Sequence, residues 1–200
     1  MLVRRVLLGL LLLPLFASAQ PSNQYAEGGS ARGLKNVTVL IVRHAEKPDR
    51  GRGLAPEGER RAKAYATYFD PLRLDGESLQ PQRLIATSDS KSSDRPRLTL
   101  TPLAVQLRLP LEQPYADNEV SALVDSLRAS NQAGVLLIAW HHGRIDDLVS
   151  ALGGDMPALT GEATWPDDVY NWLIVMRFDE HGQLKGAGSR LVHEHLLPDD

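Results

Sequence analysis

The sequence has 200 residues, 22 of them Lys or Arg and 25 Asp or Glu, for a formal net charge of −3. That balance argues against nucleic acid or an anionic membrane surface as the main partner, so a bound anion must be held by a local cluster of positive charge. The absence of Cys excludes lipid attachment at a lipobox and means that the core holds without disulfides.

Arg4 and Arg5 stand before the apolar run Val6 to Phe16, which leads into Ala17-Ser18-Ala19, the three-part layout of a secretory signal peptide. The run is about half of the ~20 residues that a membrane-spanning helix needs. Residues 1–19 are therefore expected to be a signal peptide cleaved after Ala19, delivering the protein to the periplasm or the exterior with no stable membrane insertion afterwards. Loss of Arg4 and Arg5 moves the balance to 20 basic against 25 acidic residues, a net charge of −5. Residues 20–35 are rich in Gly, Ser, Asn and Gln and read as a flexible leader. The remainder, residues 36–200, is the size of one domain.

From Val37 to Val42 every residue but Thr38 is aliphatic, which predicts a strand buried on both faces with Arg43 and His44 at its C-terminal end. Pro56 opens a helix whose apolar face is Ala62, Tyr65, Ala66 and Phe69, with Glu59, Arg60 and Lys63 on the polar side. Arg83 to Thr87 is a short strand, and Ser92 to Leu107 reads as a helix that Pro102 should kink or end. Asp117 or Asn118 caps a further helix carrying Val120, Leu123, Val124 and Leu127. Val135 to Trp140 is the second buried strand, with His141 and His142 at its end. Ile145, Leu148, Val149 and Leu152 mark another helix, which Gly153-Gly154 stops. Trp172 to Phe178 and Leu184 to Val192 flank Asp179-Glu180-His181-Gly182 as a hairpin. The alternation predicts an α/β fold, a three-layer αβα sandwich with a mostly parallel sheet and an antiparallel edge hairpin. Ligands of such sheets sit beyond the carboxyl ends of the strands, where Arg43-His44 and His141-His142 both fall.

Phosphoryl transfer to an imidazole needs a neutral nitrogen in line with phosphorus, fixed positive charge on the equatorial oxygens and an acid for the leaving oxygen. The run Leu40-Ile41-Val42-Arg43-His44-Ala45-Glu46-Lys47-Pro48, with Gly53-Leu54-Ala55-Pro56-Glu57-Gly58 after it, resembles the signature of the histidine phosphatase superfamily, also called the phosphoglycerate mutase-like family. Ala55 departs from the Thr that usually caps the helix there, a loss of about 1 kcal/mol that touches stability and not chemistry. Arg95-Pro96-Arg97-Leu98-Thr99 resembles the family's second arginine segment, and Val135 to Gly143 resembles its second-histidine strand. The resemblance implies a phosphoglycerate mutase-like fold and a phosphomonoesterase that forms a phosphohistidine on His44, with Arg43, Arg95 and His141 binding the phosphoryl oxygens. Arg97 competes with Arg95 for its place. For the acid, the family often has a carboxylate where Asp117-Asn118-Glu119 lies. Glu119 is the expected donor, because Asn118-Glu119-Val120 also resembles the exported lipopolysaccharide-core heptose phosphatases of the superfamily, with Asp117 and Glu46 as alternatives.

No metal or nucleotide cofactor is implied. His141 and His142 are neighbours on an extended strand and point to opposite faces, and His193-Glu194-His195 lacks a third ligand nearby in sequence. The implied partner is a small phosphorylated substrate or a phosphate-bearing envelope component, whose identity the sequence leaves open. Two rivals from other classes stand beside the enzyme: a phosphate-binding module without turnover, and an envelope interaction protein using Trp165, Tyr170 and Trp172 as an exposed aromatic patch. A mutase is disfavoured because the chain lacks room for the insertions that phosphoglycerate mutases use.

Overall fold

In the computed structural model, residues 33–130, 134–198 and 200 are described. The expected signal peptide and the expected leader as far as residue 32 lie outside the described residues. In chain order the elements run β1 (Val37–Arg43), α1 (Pro56–Tyr68), β2 (Leu72–Leu74), β3 (Glu77–Leu79), β4 (Pro81–Ala86), α2 (Arg95–Leu107) and β5 (Leu111–Glu112). There follow α3 (Val120–Ala129), β6 (Gly134–Trp140), α4 (Ile145–Ala151), α5 (Met156–Thr160), β7 (Trp172–Phe178) and β8 (Leu184–His193).

Six strands form one sheet in the order β5-β4-β6-β1-β7-β8, and β2 pairs with β3 as a separate hairpin. The first four are mutually parallel, whereas β7 joins β1 antiparallel and β8 joins β7 antiparallel. The sheet is thus mostly parallel with antiparallel strands at one side. Successive residues of β1 serve opposite faces, because side chains alternate along a strand. Val39 and Ile41 pack with α3, α4 and α5, while Leu40 and Val42 pack with α1 and α2. Helices on both sides explain why the aliphatic run is continuous and not alternating. Each such fully buried side chain stabilises the fold by about 1.5–3 kcal/mol.

Helix α2 passes through Pro102 and continues to Leu107. Proline removes one intrahelical hydrogen bond, but Leu100, Leu103 and Ala104 are buried on either side of it and hold the helix to the sheet. The residue at the N-cap of α3 is Glu119, not Asp117 or Asn118. The short elements β2, β3, β5 and α5 were not expected from the sequence.

One buried polar cluster joins α1 to the C-terminal segment. Arg61, on α1, donates to Glu46 Oε1 at 2.9 and 2.7 Å and to both carboxylate oxygens of Asp200 at 3.1 and 2.5 Å. Asp200 also accepts from the backbone N–H groups of Leu196 and Leu197. Beside it the Tyr65 hydroxyl donates to Glu194 Oε2 at 2.8 Å. Burial pushes Glu194 up to about 8 against the opposing pull of Tyr65 and Arg61, with Asp200 and Glu46 adding to the rise. A carboxyl raised in the folded state lends stability that is full below its unfolded value of 4.5 and is lost as pH climbs through about 8. Glu194→Gln removes that ionisation. Urea unfolding at pH 5 should therefore find the variant close to the parent, and at pH 9 more stable by on the order of 3 kcal/mol. Equal offsets at the two pH values would contradict the assignment.

Candidate active site

Arg43 pairs with Trp140 in the β1–β6 register, so the two strands end side by side. His44 and His141 are the next residues of each chain segment, and their rings meet edge to face with centroids 5.1 Å apart. The backbone that carries His44 is held from three sides. Its N–H donates to the Trp140 carbonyl at 3.0 Å, the Ala45 N–H donates to Thr99 Oγ1 at 2.8 Å, and the Ala55 N–H donates to the Glu46 carbonyl at 2.9 Å. Thr99 in turn donates to the Arg95 carbonyl, which ties α2 to this turn. Gly58 brings α1 against the same turn, since a Cβ there would stand 2.5 Å from the Glu46 carbonyl oxygen.

His44 is 2% exposed, and its Nδ1 lies 2.7 Å from the Ala45 carbonyl oxygen. A carbonyl only accepts, so Nδ1 carries the proton and Nε2 keeps its lone pair. Burial lowers this imidazole to about 3, outweighing the rise from the Ala45 bond, and His141, Arg43 and Arg95 lower it further. The ring is therefore a neutral base with one free nitrogen throughout the physiological range.

Arg43 is fully buried. Its Nη1 donates to the carbonyls of Pro166, Asp167 and Val169 at 3.2, 2.7 and 2.9 Å, and its guanidinium carbon sits 3.8 Å from the centre of the Tyr170 ring. Nε and Nη2 are buried with no hydrogen-bond partner among the described residues. Two orphaned donors on a buried cation are costly, and an anion beside them would satisfy both. Arg95, the first residue of α2, is anchored by long hydrogen bonds from Nη1 to the carbonyls of Gly51, Arg52 and Ser92, and its Nε is also buried without a partner among the described residues. Burial lowers the basicity of His141, with Asp117 opposing and Arg95, His142 and Arg43 assisting.

A cleft of about 440 Å³ opens beside these groups, lined by Arg95, Asp117, His141, His142, Arg144 and a rim of serines that includes Ser88 and Ser93. His44 does not line it; it stands against His141, which does. The structure thus brings Arg43, His44, Arg95 and His141 to one place. Arg97 does not line the cleft; it pairs with Asp89, which does, at 2.9 Å. Glu119 is not in the cleft lining: its carboxylate folds back to accept the Ala116 N–H at 2.8 Å. Glu46 is held by Arg61. Of the three carboxylates considered, Asp117 is the one that lines the cleft, and its carbonyl is pinned by the indole N–H of the buried Trp140 at 3.1 Å.

Trp165 and Trp172 are buried against each other, 5.4 Å between ring centres, and Tyr170 lies across Arg43, so these three do not form an exposed aromatic patch. Among the described residues no group of three or more His, Asp or Glu side chains is arranged to hold a metal ion. The contribution of the Pro166–Val169 carbonyls and of Thr99 Oγ1 to the site was not expected from the sequence.

No model of a protein family and no curated protein matches this sequence. Solved structures match its fold. SixA of Agrobacterium tumefaciens, a proposed phosphohistidine phosphatase, aligns with a TM-score of 0.51 at 16% identity, over 78% of this chain and 95% of SixA. A phosphoglycerate mutase from Bacillus anthracis str. Sterne aligns with a TM-score of 0.50 at 11% identity, over 82% of this chain and 93% of the mutase. The chain has the phosphoglycerate mutase-like α/β fold, the one that its Arg43-His44 motif implied.

Proposed function

We propose that this protein is an exported phosphomonoesterase that works through a phosphohistidine on His44. The observation that carries the reading is the pairing of a neutral His44, whose Nε2 is left free by the Ala45 bond, with the two orphaned donors of the adjacent Arg43. The fold shared with a proposed phosphohistidine phosphatase agrees with it.

In this mechanism Nε2 of His44 attacks phosphorus and the bond from phosphorus to the alcohol oxygen breaks. Arg43 Nε and Nη2, Arg95 and His141 hold the equatorial oxygens as charge spreads over them. Asp117 gives its proton to the departing alcohol. Water then attacks the phosphohistidine, its proton returns to Asp117, and phosphate leaves with His44 neutral again. The signal-peptide layout supports a periplasmic or extracellular location for this activity, whose proposed substrate is a small phosphorylated molecule or a phosphate-bearing envelope component.

Turnover of phosphomonoesters by the purified mature protein in EDTA tests the reading, and Asp117→Asn tests the acid. That variant should lose about 10²–10³-fold in kcat on alkyl phosphates, whose alkoxide needs a proton, and little on nitrophenyl phosphate, whose phenolate does not. Equal losses on both substrates would remove Asp117 from the role, and loss on alkyl phosphates in Glu119→Gln instead would return it to Glu119.

A further inference from the structure

Three consecutive residues at the end of β6 are tied to three different walls of the site. Trp140 pins the Asp117 carbonyl, His141 faces the cleft, and His142 reaches Asp167, its Nε2 2.7 Å from Oδ1. Asp167 is also a residue whose own carbonyl accepts Arg43 Nη1 at 2.7 Å. The stretch that holds Arg43, residues 161–171, contains no helix or strand, so its position depends on side-chain anchors. One anchor is Trp165, buried against Trp172, with its indole N–H on the Val169 carbonyl at 2.8 Å. A second is the His142–Asp167 contact, while the two ends of the stretch are held by Thr160 at Glu162 and by the Glu194 N–H on the Asn171 carbonyl. Because the Asp167 side chain is 89% exposed, nothing but His142 restrains it among the described residues.

We propose that His142 is a positioning residue for phosphoryl transfer: through Asp167 it fixes the loop whose carbonyls aim the Arg43 guanidinium, and so presents Nε and Nη2 of Arg43 to the phosphoryl group. The inference rests on the phosphatase reading of the site. Burial and the nearby Arg43 lower the basicity of His142 against the pull of Asp167, so the link is a neutral N–H donating to a carboxylate. A glutamine amide reaches about as far as Nε2, and an asparagine oxygen can accept in place of the Asp167 carboxylate.

The test compares His142→Ala, His142→Gln, Asp167→Ala, Asp167→Asn and the double alanine variant, reading inorganic phosphate affinity by calorimetry and kcat/KM on a phosphomonoester. Each alanine variant should lose about three- to tenfold in both, the scale of one partly exposed hydrogen bond to a charge. The double variant should be no worse than either single one, and the Gln and Asn variants should recover most of the loss. Alanine variants that bind and turn over like an active parent overturn the proposal alone, as do losses that multiply in the double variant or a Gln variant as poor as Ala. A parent that neither binds phosphate nor turns over removes the phosphatase reading and this proposal with it.

Discussion

His44→Ala is expected to lower kcat by at least about 10⁴-fold on any phosphomonoester, with the fold intact. The substitution deletes the nitrogen that the Ala45 bond leaves free for attack. Arg43, Arg95 and His141 come from the ends of β1, α2 and β6 and remain. Phosphate should therefore still bind within about tenfold of the parent, which separates loss of chemistry from loss of the pocket. The structural cost is one buried ring and one hydrogen bond, on the order of 2 kcal/mol. Steady-state kinetics with calorimetry of phosphate binding reads both sides. More than one per cent of the parent kcat in the variant contradicts the nucleophilic role.

A second large effect is expected at Arg61, on stability and not on chemistry. Its side chain is 3% exposed and is the cation among Glu46, Asp200 and, at 4.0 Å, Glu194. Burial works against its charge, but the hydrogen bonds to Asp200 and Glu46 win and raise its basicity overall. Arg61→Met fills similar volume yet leaves the Glu46 and Asp200 carboxylates without a counter-charge, and breaking a buried pair from one side costs about 3–5 kcal/mol. For a domain of this size that lowers Tm by roughly 10 °C. Because Glu46 lies two residues beyond His44, the variant should also loosen the turn that carries the nucleophile. A thermal melt within 2 °C of the parent would show that the cluster contributes nothing net.

The parts legible in the sequence are those that a periodicity or a side chain announces. The aliphatic run of β1 and that of β6 betrayed two strands covered on both faces, and the Arg43-His44 and His141 motifs at their ends marked one mouth. Glu119 and Asp117 are two residues apart at the start of α3, and which one faces the cleft is decided by backbone geometry: Trp140 pins Asp117 while Glu119 satisfies the Ala116 N–H. The cage around Arg43 is made of backbone carbonyls, which have no residue signature. Glu194 is fully buried because Tyr65 and Arg61 on α1 meet it from far away in the chain, which no local pattern in His193-Glu194-His195 announces. The strand β5 and the helix α5, of 2 and 5 residues, are too short for any period to show.

The phosphohistidine itself can be observed directly by mixing the mature protein with a radiolabelled phosphomonoester and quenching in alkali within a turnover. The expected result is a covalent label that survives alkali, is released by acid and maps to His44, and that is absent from His44→Ala. Turnover with no trapped label on His44, or a label carried by a hydroxyl or carboxyl side chain, would contradict it.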